Sequence, residues 1–135
     1  MWFKNLRIYR LTKTFPFTSD ELNAALDDGR FTPCGKLDPF KFGWVPPLGR
    51  HGSELIHTAN GYTMICAKRQ EKILPAGVIK EHLDEKILEI QDQEGRRISR
   101  KERDGMKDEI IFSLMPRAFV KSSLHFAFIP IYLSP

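Results

Sequence analysis

The stretch LIHTANGYTMICA, residues 55–67, decides the fold, because it holds the clearest turn signal in the chain. Asn60 and Gly61 both tolerate positive φ, as a two-residue type I′ turn requires, and the residues on either side favour strands. The sequence therefore predicts an antiparallel hairpin. We interpret His57, which the turn sets opposite a methionine, as a packed or rim histidine and not as a catalytic base. The predicted pairs are Ala59 with Tyr62, His57 with Met64, and Ile56 with Ile65.

Upstream of the hairpin, two segments are predicted to add strands. Residues 2–11 alternate with a period of two, with Leu6 and Ile8 on one side, which is typical of a strand. Residues 31–50 are rich in proline and glycine, and aromatic side chains are interleaved with them. Because proline interrupts a helix and the aromatic residues favour a packed segment, we predict one or two short strands joined by turns.

Between these segments, residues 19–28 predict a helix. Thr18 can cap its first turn, and Glu21, three residues later, completes a capping box. Gly29 is a natural stop for the helix. Its predicted buried stripe consists of Leu22, Ala25 and Leu26.

After Pro75 the spacing of apolar residues becomes helical. Residues 76–94 carry isoleucine and leucine at steps of four, four and three, which predicts a helix roughly 28 Å long. Gly95 breaks or bends it. A second helical pattern begins near Met106 and ends at Pro116.

These elements together predict an α+β fold. It contains a mixed or antiparallel sheet with a β-hairpin, followed by a long helical segment. We divide the chain into a strand, helix and hairpin sheet region (1–75), a helical basic region (76–121) and an apolar tail interpreted as a truncated strand (122–135). We treat 1–135 as one partial domain.

The excess charge of the chain is concentrated in one place. Residues 96–107 hold six Lys or Arg side chains and two acids, so their net charge of +4 equals that of the whole 135-residue chain. A local positive field attracts a polyanion and releases its counterions, which favours nucleic acid as the partner. The alternative is a solvated charged face between two helices. The candidate DNA-binding cations here are Arg96, Arg97, Arg100, Lys101, Arg103 and Lys107.

A second basic segment follows the predicted end of the helical region. Phe119 stands between Arg117 and Lys121, and this combination suits a nucleic-acid surface, with the cations on phosphates and the ring against bases or a partner. The alternative is that Phe119 packs in the core and Arg117 is solvated.

The sequence does not support other classes of function. Cys34 and Cys66 form no CxxC pair, and the four histidines show no ligand spacing with them, so we predict free thiols and no metal site. Nucleophile motifs and phosphate-binding glycine loops are missing, so we predict no catalytic residues, no cofactor and no enzyme. We expect a soluble intracellular protein without a secretory signal or a membrane span.

Several short blocks occur in a fixed order between residue 1 and about residue 123. They are WFKNL (2–6), YRL (9–11), FTPCG (31–35), GWVPP (43–47), ANG (59–61), EKILP (71–75), VIK (78–80), KDE (107–109) and PRAF (116–119). Together they strongly resemble the amino-terminal part of the recombination-associated protein RdgC family. Residues 124–135 do not resemble it.

The resemblance implies a bacterial nucleoid-associated protein of the cytoplasm. Family members bind double- and single-stranded DNA without sequence preference, form a ring-shaped homodimer with a positively charged central hole, and restrain the RecA recombinase. They are not enzymes and need no cofactor or membrane. The residues that match the family pattern on the DNA-facing half are Arg96, Arg117 and Phe119, together with Lys107.

Because family proteins are longer than this chain, we expect it to be incomplete relative to the family fold, as a truncated or frameshifted gene product would be. Two functions stay open. One is sequence-independent DNA binding in recombination. The other is a truncated fragment that does not bind DNA and acts only as a structural or protein-interaction remnant, without closing a ring.

Overall fold

The computed structural model describes residues 3–13 and 15–130, and these form a mixed α+β fold, as predicted. Two short 3-10 helices, Gly49–His51 and Met115–Arg117, lie between the main elements. The helices and strands, in chain order, are α1 (Ser19–Asp27), β1 (Phe40–Val45), β2 (Ile56–Ala59), β3 (Tyr62–Ile73), α2 (Ala76–Glu94), α3 (Arg100–Leu114) and β4 (Phe119–Pro130).

The central strand of the sheet is β3. It lies between β1 and β2, and β4 also pairs with it, which gives an antiparallel sheet of four strands. The hairpin of β2 and β3 has the predicted register, from Ile56 opposite Ile65 to Ala59 opposite Tyr62. Asn60 and Gly61 have φ angles of 52° and 80°, as a type I′ turn requires. The turn chemistry therefore fixes the pairing of this hairpin.

The first helix begins as its sequence predicts. The hydroxyl oxygen of Thr18 accepts a hydrogen bond from the Glu21 N–H at 3.2 Å, and the Glu21 carboxylate accepts one from the Thr18 N–H at 3.0 Å. These reciprocal bonds satisfy two donors that the helix itself leaves open. Leu26 is buried and Leu22 is half-buried, but Ala25 is exposed. The buried stripe is therefore narrower than predicted.

The predicted strand over residues 2–11 is wrong for the part that the structure describes. Residues 3–11 form no strand, and the side chains of Leu6 and Ile8 are 74% and 89% exposed. A period of two assigns side chains to faces, but a strand also needs a neighbour for its backbone hydrogen bonds. Phe3 nevertheless packs, with its ring 6.0 Å from those of Phe126 and Phe128. Residue 2, and residues 131–135 of the predicted tail, lie outside the described residues.

The chain forms two compact units. The first is built from the described residues of segments 1–30, 44–66 and 125–135, and the second from 31–43 and 67–124. The core of the first unit contains Leu26, Leu55 and Ile65, with the half-buried Ile129 packed against them. The core of the second unit contains Ile79, Leu83, Met106 and Ile110.

Cys34 and Cys66 form no disulfide in the described part of the chain. Cys66 in the first unit is buried, and burial raises the pKa of its thiol, so it stays protonated at neutral pH. Cys34 in the second unit is half-buried, and its backbone N–H donates to the side-chain oxygen of Gln70 at 3.1 Å. The Cys34 thiol also donates to the carbonyl oxygen of Gln70 at 3.8 Å, so both thiols have local hydrogen-bonding partners.

Candidate nucleic-acid interface

The predicted basic residues lie on and around a hairpin of two helices, α2 and α3. The predicted bounds of α2 are confirmed, and the buried residues Ile79 and Leu83 of α2 pack with Met106 and Ile110 of α3. Two ion pairs also link the helices, Lys86 with Glu109 at 2.9 Å and Asp84 with Arg103 at 4.0 Å. Exposed ion pairs add little free energy, so the apolar contacts hold the helices together.

The connection between the helices, residues 95–99, has a defined structure at both ends. Gly95 adopts a left-handed conformation, with φ of 63°, and its N–H donates to Gln91 at 2.8 Å, which ends α2. Ser99 caps α3 through a capping box with Glu102. The spacing S-x-x-E at these positions was visible in the sequence and would have predicted the start of α3. The basic segment is therefore the tip of a helical hairpin, and not the bend of one long helix.

Arg96, the first predicted DNA-binding residue, is engaged by two carboxylates. Its Nε donates to Glu94, and its Nη1 donates to both oxygens of Glu102 at 2.9 Å each. These contacts raise the pKa of the guanidinium. The hydrogen bond from Arg96, followed by that from the Ser99 backbone, holds the pKa of Glu102 below its ordinary value. The acids on both sides of Arg96 in the sequence were the signal for this pairing.

The other cations of residues 96–107 divide into two classes. Arg103 pairs with Asp84 on α2. Four cations are exposed and form no ion pair within residues 3–13 and 15–130: Arg97, Arg100, Lys101 and Lys107. These four are therefore available to an anionic partner, whereas Arg96 and Arg103 are already paired.

At the other end of α3, the segment 115–121 carries the remaining candidates. Pro116 lies in the short 3-10 helix that follows α3. Phe119 is 79% exposed, so its ring is in neither core and the core alternative does not hold. Arg117 and Lys121 are exposed as well. The ring and both cations are thus accessible from solvent.

A lysine from β3 positions this end of the hairpin. The Nζ of Lys72 donates to the carbonyl oxygen of Met115 at 3.1 Å and to that of Lys36 at 2.7 Å. Lys72 therefore ties the 3-10 helix that precedes Phe119 to a loop of the same unit. Sequence analysis missed this role, because nothing in the block EKILP marks one lysine as a partner of distant carbonyl oxygens.

The structure does not gather the predicted residues into one patch. The tip cations lie at the start of α3, whereas Arg117 and Phe119 follow its end, and the 15 residues of α3 span about 21 Å between their terminal Cα atoms. Lys107 lies midway along the helix. The candidate interface is therefore two groups at the ends of one helix, with a single cation between them. A further exposed ring on α3, which the sequence did not single out, is that of Phe112, which is 64% exposed.

The rest of the described chain offers few other chemical groupings. An open cleft of about 430 Å³ between α2 and α3 is lined by His82, Glu85, Lys86, Glu89 and Arg117, among others. No group of three or more His, Cys, Asp or Glu side chains in the described residues is placed to hold a metal ion. The helices within 3–13 and 15–130 include none with the length and apolar content needed to cross a bilayer.

Comparison with known proteins gives the family. A family model described as "Putative exonuclease, RdgC" matches residues 1–132. Recombination-associated protein RdgC of Aeromonas hydrophila is 49% identical over 129 residues, which cover 96% of this chain and 43% of the relative. The protein of the same name from Shewanella oneidensis is 52% identical over 123 residues, 91% of this chain and 40% of the relative.

The chain spans about two fifths of the length of these curated relatives. The blocks quoted from the sequence thus lie within a match that covers nearly all of the chain, although only part of each relative. The chain belongs to the RdgC family of recombination-associated proteins.

Proposed function

We propose that this chain is a DNA-binding part of a recombination-associated protein and that it contacts phosphates without reading bases. The observation that supports this most strongly is the set of exposed cations around α3 that form no ion pair within the described residues: Arg97, Arg100, Lys101, Lys107, Arg117 and Lys121. Phosphate contacts give affinity and register but carry no sequence information. The exposed ring of Phe119 adds a surface on which any base can stack.

The spacing of the two groups suits a nucleic-acid backbone. The roughly 21 Å between the ends of α3 corresponds to about six base-pair steps of 3.4 Å along the axis of a DNA duplex. A duplex or single strand lying along the helix would meet the tip cations, then Lys107, then Arg117 and Phe119. This arrangement favours backbone tracking over insertion of a helix into a groove.

For a full-length member of the family, we propose the activity that the resemblance implies. It restrains the RecA recombinase by occupying DNA, acts at the nucleoid in the cytoplasm, and works as a homodimer that encircles DNA. In this proposal it acts by binding and not by catalysis, and needs no cofactor. Membership of the RdgC family supports the link to recombination.

The test is the salt dependence of DNA binding by this chain. Fluorescence anisotropy with two unrelated duplexes of equal length should give affinities within a few-fold of each other. If about four to six phosphates are contacted, log K should fall with log[salt] with a slope of roughly −4 to −5. A flat salt response would favour the alternative, a remnant that does not bind DNA. Strong preference for one duplex would exclude binding through phosphates alone.

A charge-matched pair of variants localises the site. Replacing Arg97, Arg100 and Lys101 with Gln should reduce the steepness of the salt dependence by about 3, since each phosphate contact contributes about 0.9. Replacing Arg50, Lys36 and Lys80 with Gln removes the same charge from exposed residues elsewhere and should leave the slope nearly unchanged. Equal losses in both variants would show that net charge, and not this site, governs binding.

The absence of catalysis needs its own measurement, because the family description contains the word exonuclease. End-labelled single- and double-stranded DNA is incubated with the chain and Mg²⁺ or Mn²⁺, and released nucleotides are counted. We expect intact DNA at protein concentrations that saturate binding. Release of mononucleotides that scales with the amount of protein would overturn the non-enzymatic part of the proposal.

A further inference from the structure

Arg96 joins the last turn of α2 to the first turn of α3. Its guanidinium donates to Glu94, near the end of α2, and to both carboxylate oxygens of Glu102 in α3. A planar guanidinium can make such a forked contact, whereas a lysine ammonium cannot reproduce it. One side chain therefore closes the five-residue connection 95–99 from both sides.

Glu102 has a second role in the same network. Besides binding Arg96, its carboxylate accepts a hydrogen bond from the Ser99 N–H at 3.0 Å, and the Ser99 hydroxyl oxygen accepts one from the Glu102 N–H at 3.2 Å. The next amide, that of Arg103, donates to the Ser99 carbonyl oxygen at 2.9 Å. Arg96 thus holds the carboxylate that caps α3, and the cap in turn holds the backbone that carries Arg100.

The charge around Arg96 is unsuited to a phosphate. One guanidinium and two carboxylates, those of Glu94 and Glu102, sum to −1. A phosphate that approached Nε or Nη1 of Arg96 would have to displace these carboxylates, and one that approached Nη2 would still be repelled by both. The neighbouring Arg97 forms no such pair within the described residues.

From this geometry we propose that Arg96 is a positioning residue for DNA binding. It fixes the 95–99 connection and the first turn of α3, so that Arg97, Arg100 and Lys101 are presented together, and it does not itself contact phosphate. This inference rests on the proposed DNA-binding function. It reassigns a residue that sequence analysis placed among the DNA contacts.

The decisive experiment compares two single variants, each of which removes one negative charge. Glu102→Gln and Asp104→Asn each raise the net charge by one, and Asp104 forms no ion pair in the described part of the chain. If charge alone governed binding, both variants would bind DNA more tightly. The positioning role predicts that Asp104→Asn binds more tightly, whereas Glu102→Gln binds roughly three- to tenfold more weakly. Affinities are measured by anisotropy with one duplex in 100 mM salt.

A second pair of variants tests Arg96 directly while keeping its charge. Arg96→Lys should weaken binding several-fold, because an ammonium cannot reproduce the forked contact of the guanidinium. Arg50→Lys, at an exposed residue outside the proposed interface, should change binding less than about twofold. Hydrogen exchange without DNA should show faster exchange at the backbone amides of positions 102 and 103 in Arg96→Lys and in Glu102→Gln, but not in Arg50→Lys or Asp104→Asn.

The outcomes separate the two proposals. Tighter binding by Glu102→Gln, equal to that of Asp104→Asn, would overturn the positioning role while leaving DNA binding intact. Weaker binding by Arg96→Lys without faster exchange at the amides of positions 102 and 103 would make Arg96 an ordinary phosphate contact. An unsubstituted chain without affinity for DNA would refute the proposed function, and the positioning role with it.

Discussion

At its start, α3 is surrounded by cations that alternate with acids, whereas beyond its end cations flank an exposed ring. Around the tip, Arg96 and Arg103 are paired with carboxylates of the same hairpin. Past the end of α3, Arg117 and Lys121 form no ion pair in the described residues, and Phe119 is 79% exposed. Both ends carry cations, but only the cations at the start of α3 include residues that are bound to carboxylates.

The comparison teaches that a count of cations overstates the charge offered to a partner. Of the six basic residues between 96 and 107, two are bound to carboxylates in the structure. In the proposed interface, paired cations order the backbone, whereas unpaired cations remain accessible to a partner. Which residue plays which role depends on acids that lie on another helix or across a turn.

The largest effect is expected from a change that disorders both ends at once. Leu83 is 4% exposed in the seam between α2 and α3, and Leu83→Ala should lower the free energy of unfolding by about 2–5 kcal/mol. DNA binding should weaken with it, because both groups of cations lose their support. Urea denaturation, followed by circular dichroism, measures the loss. Leu88→Ala on the same helix, where the side chain is 59% exposed, is the control and should change stability by less than about 0.5 kcal/mol.

A smaller effect, confined to the far end of α3, is expected from Phe119→Ala. Because the ring is exposed, the free energy of unfolding should change by less than about 0.5 kcal/mol. Affinity for single-stranded DNA should fall by about 1–3 kcal/mol if a base stacks on the ring. Phe112→Ala, which removes another exposed ring from α3, should affect DNA binding less. A large drop in melting temperature with unchanged binding would contradict the contact role.

The smallest effect concerns the tip and its dependence on pH. The hydrogen bond from Arg96 lowers the pKa of Glu102 from its ordinary 4.5. Its contribution to folding is therefore complete above pH 4.5 and is lost as the pH falls through the lowered pKa of the folded state. Amide exchange at Arg103, corrected for its intrinsic pH dependence, should show local opening of the tip in acid. Glu102→Gln, which cannot titrate, should show no such change between pH 6 and 3, and an identical response in both proteins would rule out Glu102 as the cause.

Elements specified by neighbouring residues were predictable from the sequence. The turn at Asn60-Gly61 set the register of the hairpin, and Thr18 with Glu21 set the start of α1. In α2, the apolar spacing and Gly95 defined the helix from Ala76 to Glu94. In each case the determining groups lie within a few residues of one another, so no knowledge of the tertiary structure was needed.

Features that depend on distant partners were not predictable in this way. The segment 2–11 has the pattern of a strand, but its described residues find no strand to pair with. For the candidate site, the residue types were readable, but not the pairing of Arg103 with Asp84 or the support that Lys72 gives to Met115. These contacts join residues between about 20 and 40 positions apart, and the helix packing that creates them leaves no local signature.

The first unit has a consequence for the order in which the chain folds. Its core joins Ile65 to Ile129, which are separated by 64 residues, whereas the α2–α3 seam closes over a much shorter loop. At synthesis rates of about 5–20 residues per second, Ile129 would follow Ile65 after roughly 3 to 13 seconds. The helical hairpin can therefore form on the ribosome before Ile129, which completes the first core, has been synthesised. During that interval Leu26, Leu55 and Ile65 lack one apolar neighbour, so this part of the nascent chain leaves more apolar surface exposed to water.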